Sequence, residues 1–142
     1  MKSSDNKSQH GTVAVEFGIV LPILMLTLFG ITQFGTAYYK QQVLTAAVRE
    51  GARMGVVALS PRPSTNQIQQ KVLAYLSDVG WDVSKAAVSV SGAQQTSGSA
   101  LTVQATYPTS LGVVSKLVQQ GSIPVDANGD VSLKAKVVME IE

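Results

Sequence analysis

Hydrophobic residues are concentrated near the start of this chain, in one long run without charged residues. The segment from Phe17 to Tyr39 contains no Asp, Glu, Lys or Arg. A helix rises about 1.5 Å per residue, so roughly 23 residues can cross the ~30 Å hydrocarbon core of a bilayer. A buried helix of a soluble domain is the alternative, but the remaining chain is too small to surround such a helix. The run therefore predicts a membrane-spanning helix, placed at residues 12–39.

Beyond Lys40 the apolar residues recur at helical spacing, which predicts that the long helix continues. Ala47, Gly51 and Gly55 are spaced by four, so they form one smooth ridge on this helix. The ridge has two interpretations: it packs under the chain's own sheet, or it receives a neighbouring subunit. The prolines in the segment 60–63 end the helix.

The next segments predict a second helix and a sheet. Ser64, with Gln67 three residues later, has the sequence of a capping box and predicts a helix over Thr65–Val79 that ends at Gly80. Alternation of apolar and polar residues predicts antiparallel strands at about 86–91, 100–107 and 131–141. We therefore expect an α+β fold in which two helices pack on a small antiparallel sheet.

Two further segments are less specific. A short helix or turn is predicted over Leu111–Gln120. The segment Asp126–Asp130 contains Asn-Gly, a strong turn signal. It also resembles a fragment of a calcium loop, although the distal Glu of an EF-hand is missing.

Composition narrows the possible functions. The 142 residues are 45% hydrophobic and only 14% charged, with a formal net charge of +2, no cysteine and one histidine. Disulfides, thiolate metal sites and cysteine nucleophiles are excluded, and a histidine-dependent triad is disfavoured. The small net charge gives no nucleic-acid footprint. We find no catalytic set, and we expect neither an enzyme nor a bound metal or cofactor.

Charged residues flank the apolar run and suggest its orientation. Lys2 and Lys7 precede it, which favours a cytoplasmic N-terminus and places residues 40–142 outside the cytoplasmic membrane. Glu16 lies at the front edge of the run, where a carboxylate carries a cost. Glu16 either reaches the lipid headgroups or pairs with a cationic group. On the later helix Arg49, Glu50 and Arg53 are spaced for an ion pair or for contact with a partner's carboxylates.

A polar, basic leader followed by Gly11, then Glu16, Phe17 and an apolar helix resembles the prepilin signal of type IV pilins and pseudopilins. Together with Leu21-Pro22 and the Ala/Arg-rich segment 46–53, it is similar to TadE-like minor pseudopilins of the tight-adherence (Flp) pilus system. Thr12 differs from the phenylalanine or methionine at the first mature position of other pilin branches. Pro22 and the ridge residues are the candidate helix-packing positions.

The resemblance implies a pilin-like protein that acts by geometry. Prepilin peptidase would remove the leader, residues 1–11, between Gly11 and Thr12. Glu16 and Phe17 would then contribute to assembly with other pilins on an inner-membrane assembly platform. The predicted helix at residues 12–39 would anchor the protein in the lipid bilayer. The implied role is to prime, cap or support pilus assembly. An unprocessed single-pass membrane protein with an extracytoplasmic binding domain is the alternative.

Overall fold

The computed structural model describes residues 5–57, 61–110, 112 and 130–142, with side chains from residue 11 onward. Its elements, in chain order, are α1 (Asp5–Val56), α2 (Thr65–Asp78), a 3₁₀ turn (Val83–Lys85), β1 (Ala87–Ser91), β2 (Ala100–Ser110) and β3 (Asp130–Glu140). The predicted α+β, pilin-like fold is confirmed. The start of the leader lies outside the described residues, as do 126–129 and, apart from Gly112, the predicted element at 111–120.

One helix runs through the whole N-terminal half of the chain. α1 has 52 residues, which corresponds to a length of about 78 Å. It continues through Pro22, and the expected boundary at Lys40 lies inside it. The apolar segment and the folded part therefore share one continuous helix. We call the described residues from Lys40 onward the head, and α1 residues 11–32 the bare helix.

Local signals at both ends fix α2. At its start the Ser64 amide donates to Gln67 Oε1 at 2.8 Å, and the Gln67 amide donates to Ser64 Oγ at 3.3 Å, so the predicted capping box is present. At its end Gly80 takes φ +82°, and the amides of Gly80 and Trp81 donate to the carbonyls of Ser77 and Leu76. This Schellman motif turns Trp81 back onto the core.

Removing the cap should cost a measurable part of the head's stability. We expect Ser64→Ala to lower the free energy of unfolding by about 1 kcal/mol, because it leaves an orphan amide at the start of α2. Ser77→Ala, an exposed change in the same helix, is the matched control and should cause no loss. Urea unfolding of both variants measures the difference, and equal midpoints would contradict a stabilising cap.

The sheet has the strand order β1-β2-β3 and is antiparallel throughout. β2 pairs with β3 along its whole length, from Ala100 opposite Glu140 to Ser110 opposite Asp130. β3 advances in the same direction as α1, since Gln41 Nε2 donates to the Lys134 carbonyl and the Glu142 amide donates to the Val56 carbonyl. The strands therefore run along the axis of the long helix.

The core lies between the two helices and one face of the sheet. Its fully buried members come from all three layers: Leu44, Ala47, Val48, Ala52, Ile68, Val72, Leu76, Leu101, Val103 and Ala105. Alternate residues of β2 point into it, which reproduces the period of two seen in the sequence. None of the fully buried members belongs to the bare helix.

Candidate functional site

The bare helix is the largest exposed apolar surface in the described part of the chain. An 18-residue window of α1 is long and apolar enough to cross a membrane, and none of it is buried. Its side chains include Ile19, Leu24 and Ile31, with exposed fractions of 66%, 58% and 68%. An exposed apolar surface of this size marks a site that contacts a membrane or another protein. Length and composition make this helix compatible with single-pass membrane anchoring.

Hydroxyl groups within the apolar part of α1 are satisfied by the helix itself. Thr27 Oγ1 donates to the Ile23 carbonyl at 2.9 Å, and Thr32 Oγ1 donates to the Leu28 carbonyl at 2.9 Å. Thr36 Oγ1 donates to the Gln33 carbonyl at 2.8 Å. In hydrocarbon an unmade hydrogen bond is expensive, so these internal bonds suit the helix to a lipid environment.

The residues of the proposed processing and assembly site lie in the first turns of the described helix. α1 is continuous across the Gly11–Thr12 peptide bond, and a Cβ on Gly11 would meet nothing within 4 Å. Glu16 is exposed, and Phe17 is 60% exposed. Glu16 lies about 25 Å along the helix from Gln33, which lies against Gly112. Peptidases and neighbouring helices can therefore approach this segment without touching the head.

The ridge of small residues lies inside the chain's own fold. Ala47 is fully buried, and a Cβ on Gly51 would clash with Val72 Cγ2 of α2. A Cβ on Gly55 would lie 2.5 Å from Leu101 Cδ2 and 2.7 Å from Ile68 Cδ1. These glycines let α2 and β2 approach α1 closely. Pro22, by contrast, is exposed on the bare helix.

The charged cluster on α1 lies at its surface. Arg53 Nε is 3.4 Å from Glu50 Oε2, and Lys71 Nζ of α2 is 3.9 Å from Glu50 Oε1. Arg49 is exposed one turn earlier, with no salt-bridge partner among the described residues. Exposed pairs contribute about 0–1 kcal/mol, so this cluster adds little to stability. The link from Glu50 to Lys71 depends on helix docking and has no signal in the sequence.

Sequence reasoning missed the end of the head that faces the bare helix. We call this the proximal end and define it as residues 79–85 with Lys40. Lys40 Nζ donates to Thr109 Oγ1 at 2.9 Å, and Lys40 and Lys85 line one cavity with part of β2. The Trp81 and Tyr107 rings pack with centroids 4.5 Å apart. Only the period of two in β2, which directs Tyr107 and Thr109 inward, points to these contacts.

Polar groups at the proximal end form local hydrogen bonds. Asp82 Oδ1 accepts bonds from the hydroxyl and the amide of Ser84 at 2.6 and 3.1 Å, and Lys85 Nζ lies 3.7 Å from Asp82 Oδ2. The Ser84 bonds hold the pKa of the Asp82 carboxyl below its usual value. Within the described ranges no group of three or more His, Cys, Asp or Glu residues is placed to hold a metal ion.

A comparison with known protein families finds a match in the part of the chain that contains the bare helix. Residues 11–53 match the family model described as TadE-like protein, as the sequence resemblance predicted. The match covers the bare helix and most of the α1 segment within the head. Neither the curated proteins nor the solved structures contain a match to this chain. The TadE-like pilin family is a family of structural proteins rather than of enzymes.

Proposed function

From the TadE-like character of residues 11–53, we propose that the chain is a minor pilin or pseudopilin of a Tad-type pilus. It primes, caps or supports pilus assembly from the cytoplasmic membrane, with other pilins and the assembly platform as partners. The observation that carries the proposal is the division of α1. The bare helix is apolar and exposed, and the later part of α1 packs in the core of the head.

Anchoring and orientation follow from the charges around the bare helix. Lys2 and Lys7 precede the apolar segment, and positive charges flanking a first span favour the cytoplasmic side. The head then lies outside the cytoplasm, on the side where a pilus grows. Because α1 is one continuous helix through Lys40, the position of the bare helix in the membrane also determines the position of the head.

Processing between Gly11 and Thr12 is the second part of the proposal. Residues 5–56 form one helix, so a peptidase must unwind the helix locally to reach this peptide bond. Glycine in a helix interior costs about 1 kcal/mol relative to alanine, which makes Gly11 a favourable place to open the helix. The space that a Cβ on Gly11 would occupy is also open, with nothing within 4 Å.

The test is the mass of the chain from cells that contain prepilin peptidase and from matched cells that lack it. We expect a mature chain beginning at Thr12 in the first cells and a chain retaining Met1 in the second. Gly11→Leu should accumulate as the uncleaved form. Gly18→Leu is the matched control, because Gly18 is another glycine of α1 with open space around it, and it should be cleaved normally.

Retention of Met1 in peptidase-containing cells would contradict processing at Gly11. The chain would then be an unprocessed membrane-anchored protein. A Gly11→Leu chain that still begins at Thr12 would show that the peptidase does not require glycine at this position.

A further inference from the structure

The proximal end lies at the level where the long helix leaves its apolar segment. α2 runs antiparallel to α1, since Gly55 meets Ile68 and Gly51 meets Val72. The chain beyond Asp78 therefore extends toward the bare helix. The cavity shared by Lys40 and Lys85 confirms that the segment 79–85 reaches the level of Lys40.

Two large apolar side chains are exposed at this end of the head, Val79 at 39% and Val83 at 38%. Among the other described residues beyond 57, only Val138 is a large exposed apolar side chain, at 56%. Val79 and Val83 flank Trp81, which is partly buried against the core. Val138 lies on the outer face of the sheet, away from the helices.

The length of the apolar segment of α1 places the proximal end close to the surface of the bilayer. A charged residue is least costly at the headgroups, which places Glu16 at one edge of the hydrocarbon. About 20 residues then fill the ~30 Å core and end near Thr36. Tyr38 and Tyr39, exposed by 68% and 59%, fall in the opposite interface, where aromatic residues are enriched.

The head does not stand clear of that interface. Gly112, just beyond β2, lies against Gln33, since a Cβ on this glycine would be 3.1 Å from Gln33 Nε2. Gln33 is about 10 Å nearer the bare helix than Lys40. The head therefore extends along α1 past Tyr38 and Tyr39. The segment 79–85 lies at the level of Lys40, about 6 Å beyond Thr36, which is the depth of the lipid headgroups.

We propose that the proximal end rests in the headgroup layer of the phospholipid bilayer before assembly, with Trp81, Val79 and Val83 as its lipid contacts. Tryptophan suits this layer because its ring is apolar while its N–H needs a polar partner. The charges nearly balance: Lys40 and Lys85 are accompanied by Asp82, by Asp130 on the same cavity and by Asp78 at the end of α2. The contact is therefore apolar and aromatic, and it does not require anionic lipid.

Trp81 is the only tryptophan of the chain, so tryptophan fluorescence comes from the proximal end alone. The full chain is reconstituted in phosphatidylcholine vesicles that carry a nitroxide either on the headgroup or in the middle of the acyl chain. We expect the headgroup label to quench Trp81 more than the mid-chain label does. Replacing part of the phosphatidylcholine with phosphatidylglycerol should leave the quenching unchanged.

Serine substitutions identify the residues that make the contact. Val79→Ser combined with Val83→Ser should reduce headgroup quenching and increase quenching by aqueous iodide. Val138→Ser, at a more exposed valine on the outer sheet face, is the matched control and should change neither. The urea unfolding midpoint of each variant establishes that the head is folded. Val83→Ser alone, with a smaller change in the same direction, serves if the double variant unfolds.

Three results would overturn the proposal. They are equal quenching of Trp81 in the parent and the double variant, quenching that depends on phosphatidylglycerol, and an equal response in Val138→Ser. The proximal end is the same with or without residues 1–11, so a chain that is not cleaved at Gly11 can still show the contact. Failure of the lipid contact likewise leaves the pilin proposal standing.

Discussion

Replacing Ile68 with alanine should lower the free energy of unfolding of the head by about 2–5 kcal/mol. Ile68 is fully buried and fills the space that two glycines leave open on α1. Its Cδ1 would lie 2.7 Å from a Cβ on Gly55, and its Cγ2 would lie 3.7 Å from one on Gly51. Because glycine has no side chain to move into the cavity, we expect a loss in the upper part of that range.

The matched control is Ile31→Ala on the bare helix. Ile31 is 68% exposed and belongs to the part of α1 without a folded layer against it. This substitution should change the unfolding free energy of the head by less than about 0.5 kcal/mol. Both are measured on the full chain in detergent micelles, with urea unfolding followed by Trp81 fluorescence. Equal losses would mean that the bare helix contributes to the head's core.

Glu16→Gln should abolish or sharply reduce piliation while leaving the protein in the membrane. After cleavage at Gly11, the new amino group of Thr12 would be four residues from Glu16. Opposite charges on neighbouring subunits attract strongly where the dielectric constant is low. Glutamine keeps the size of the side chain and removes its charge. Because a charge is costly near hydrocarbon, membrane insertion should be at least as efficient as in the parent.

The matched control for this charge removal is Glu50→Gln in the head. Glu50 pairs with Arg53 and Lys71 at the surface, so its loss should cost at most about 1 kcal/mol and leave piliation intact. Membrane level, cleavage at Thr12 and surface pili are measured in parallel for both variants. Normal piliation in Glu16→Gln cells would refute the pairing and leave Glu16 as a headgroup contact. Loss of the protein would identify Glu16 as a residue needed for stability.

The parts of the fold that the sequence predicted correctly depend on local chemistry. The capping box of Ser64 and Gln67 and the stop at Gly80 involve neighbours in the chain, so their residue types identify them. β2 extends further than predicted, to Ser110, although Pro108 disfavours a strand. β1 pairs with β2 only as far as Thr106, so Pro108 lies where β2 has a single neighbouring strand and a proline is tolerated.

The contacts that the sequence did not predict join distant segments. The bond from Lys40 to Thr109 and the packing of Trp81 on Tyr107 depend on how the sheet docks against both helices. Whether the ridge packs within the chain or receives a neighbouring subunit also depends on how α2 docks against α1. The spacing of Gly51 and Gly55 shows a smooth surface, but only the position of α2 shows that Ile68 and Val72 cover it.

The alignment of β3 with α1 has a mechanical consequence. The two elements advance together, from Lys134 beside Gln41 to Glu142 beside Val56. Hydrogen bonds between antiparallel strands are perpendicular to the strands. A pulling force parallel to α1 that enters the sheet through β2 and leaves it through β3 would therefore load the β2–β3 ladder in shear. All hydrogen bonds between the two strands would then share the load, and the sheet would resist opening from one end.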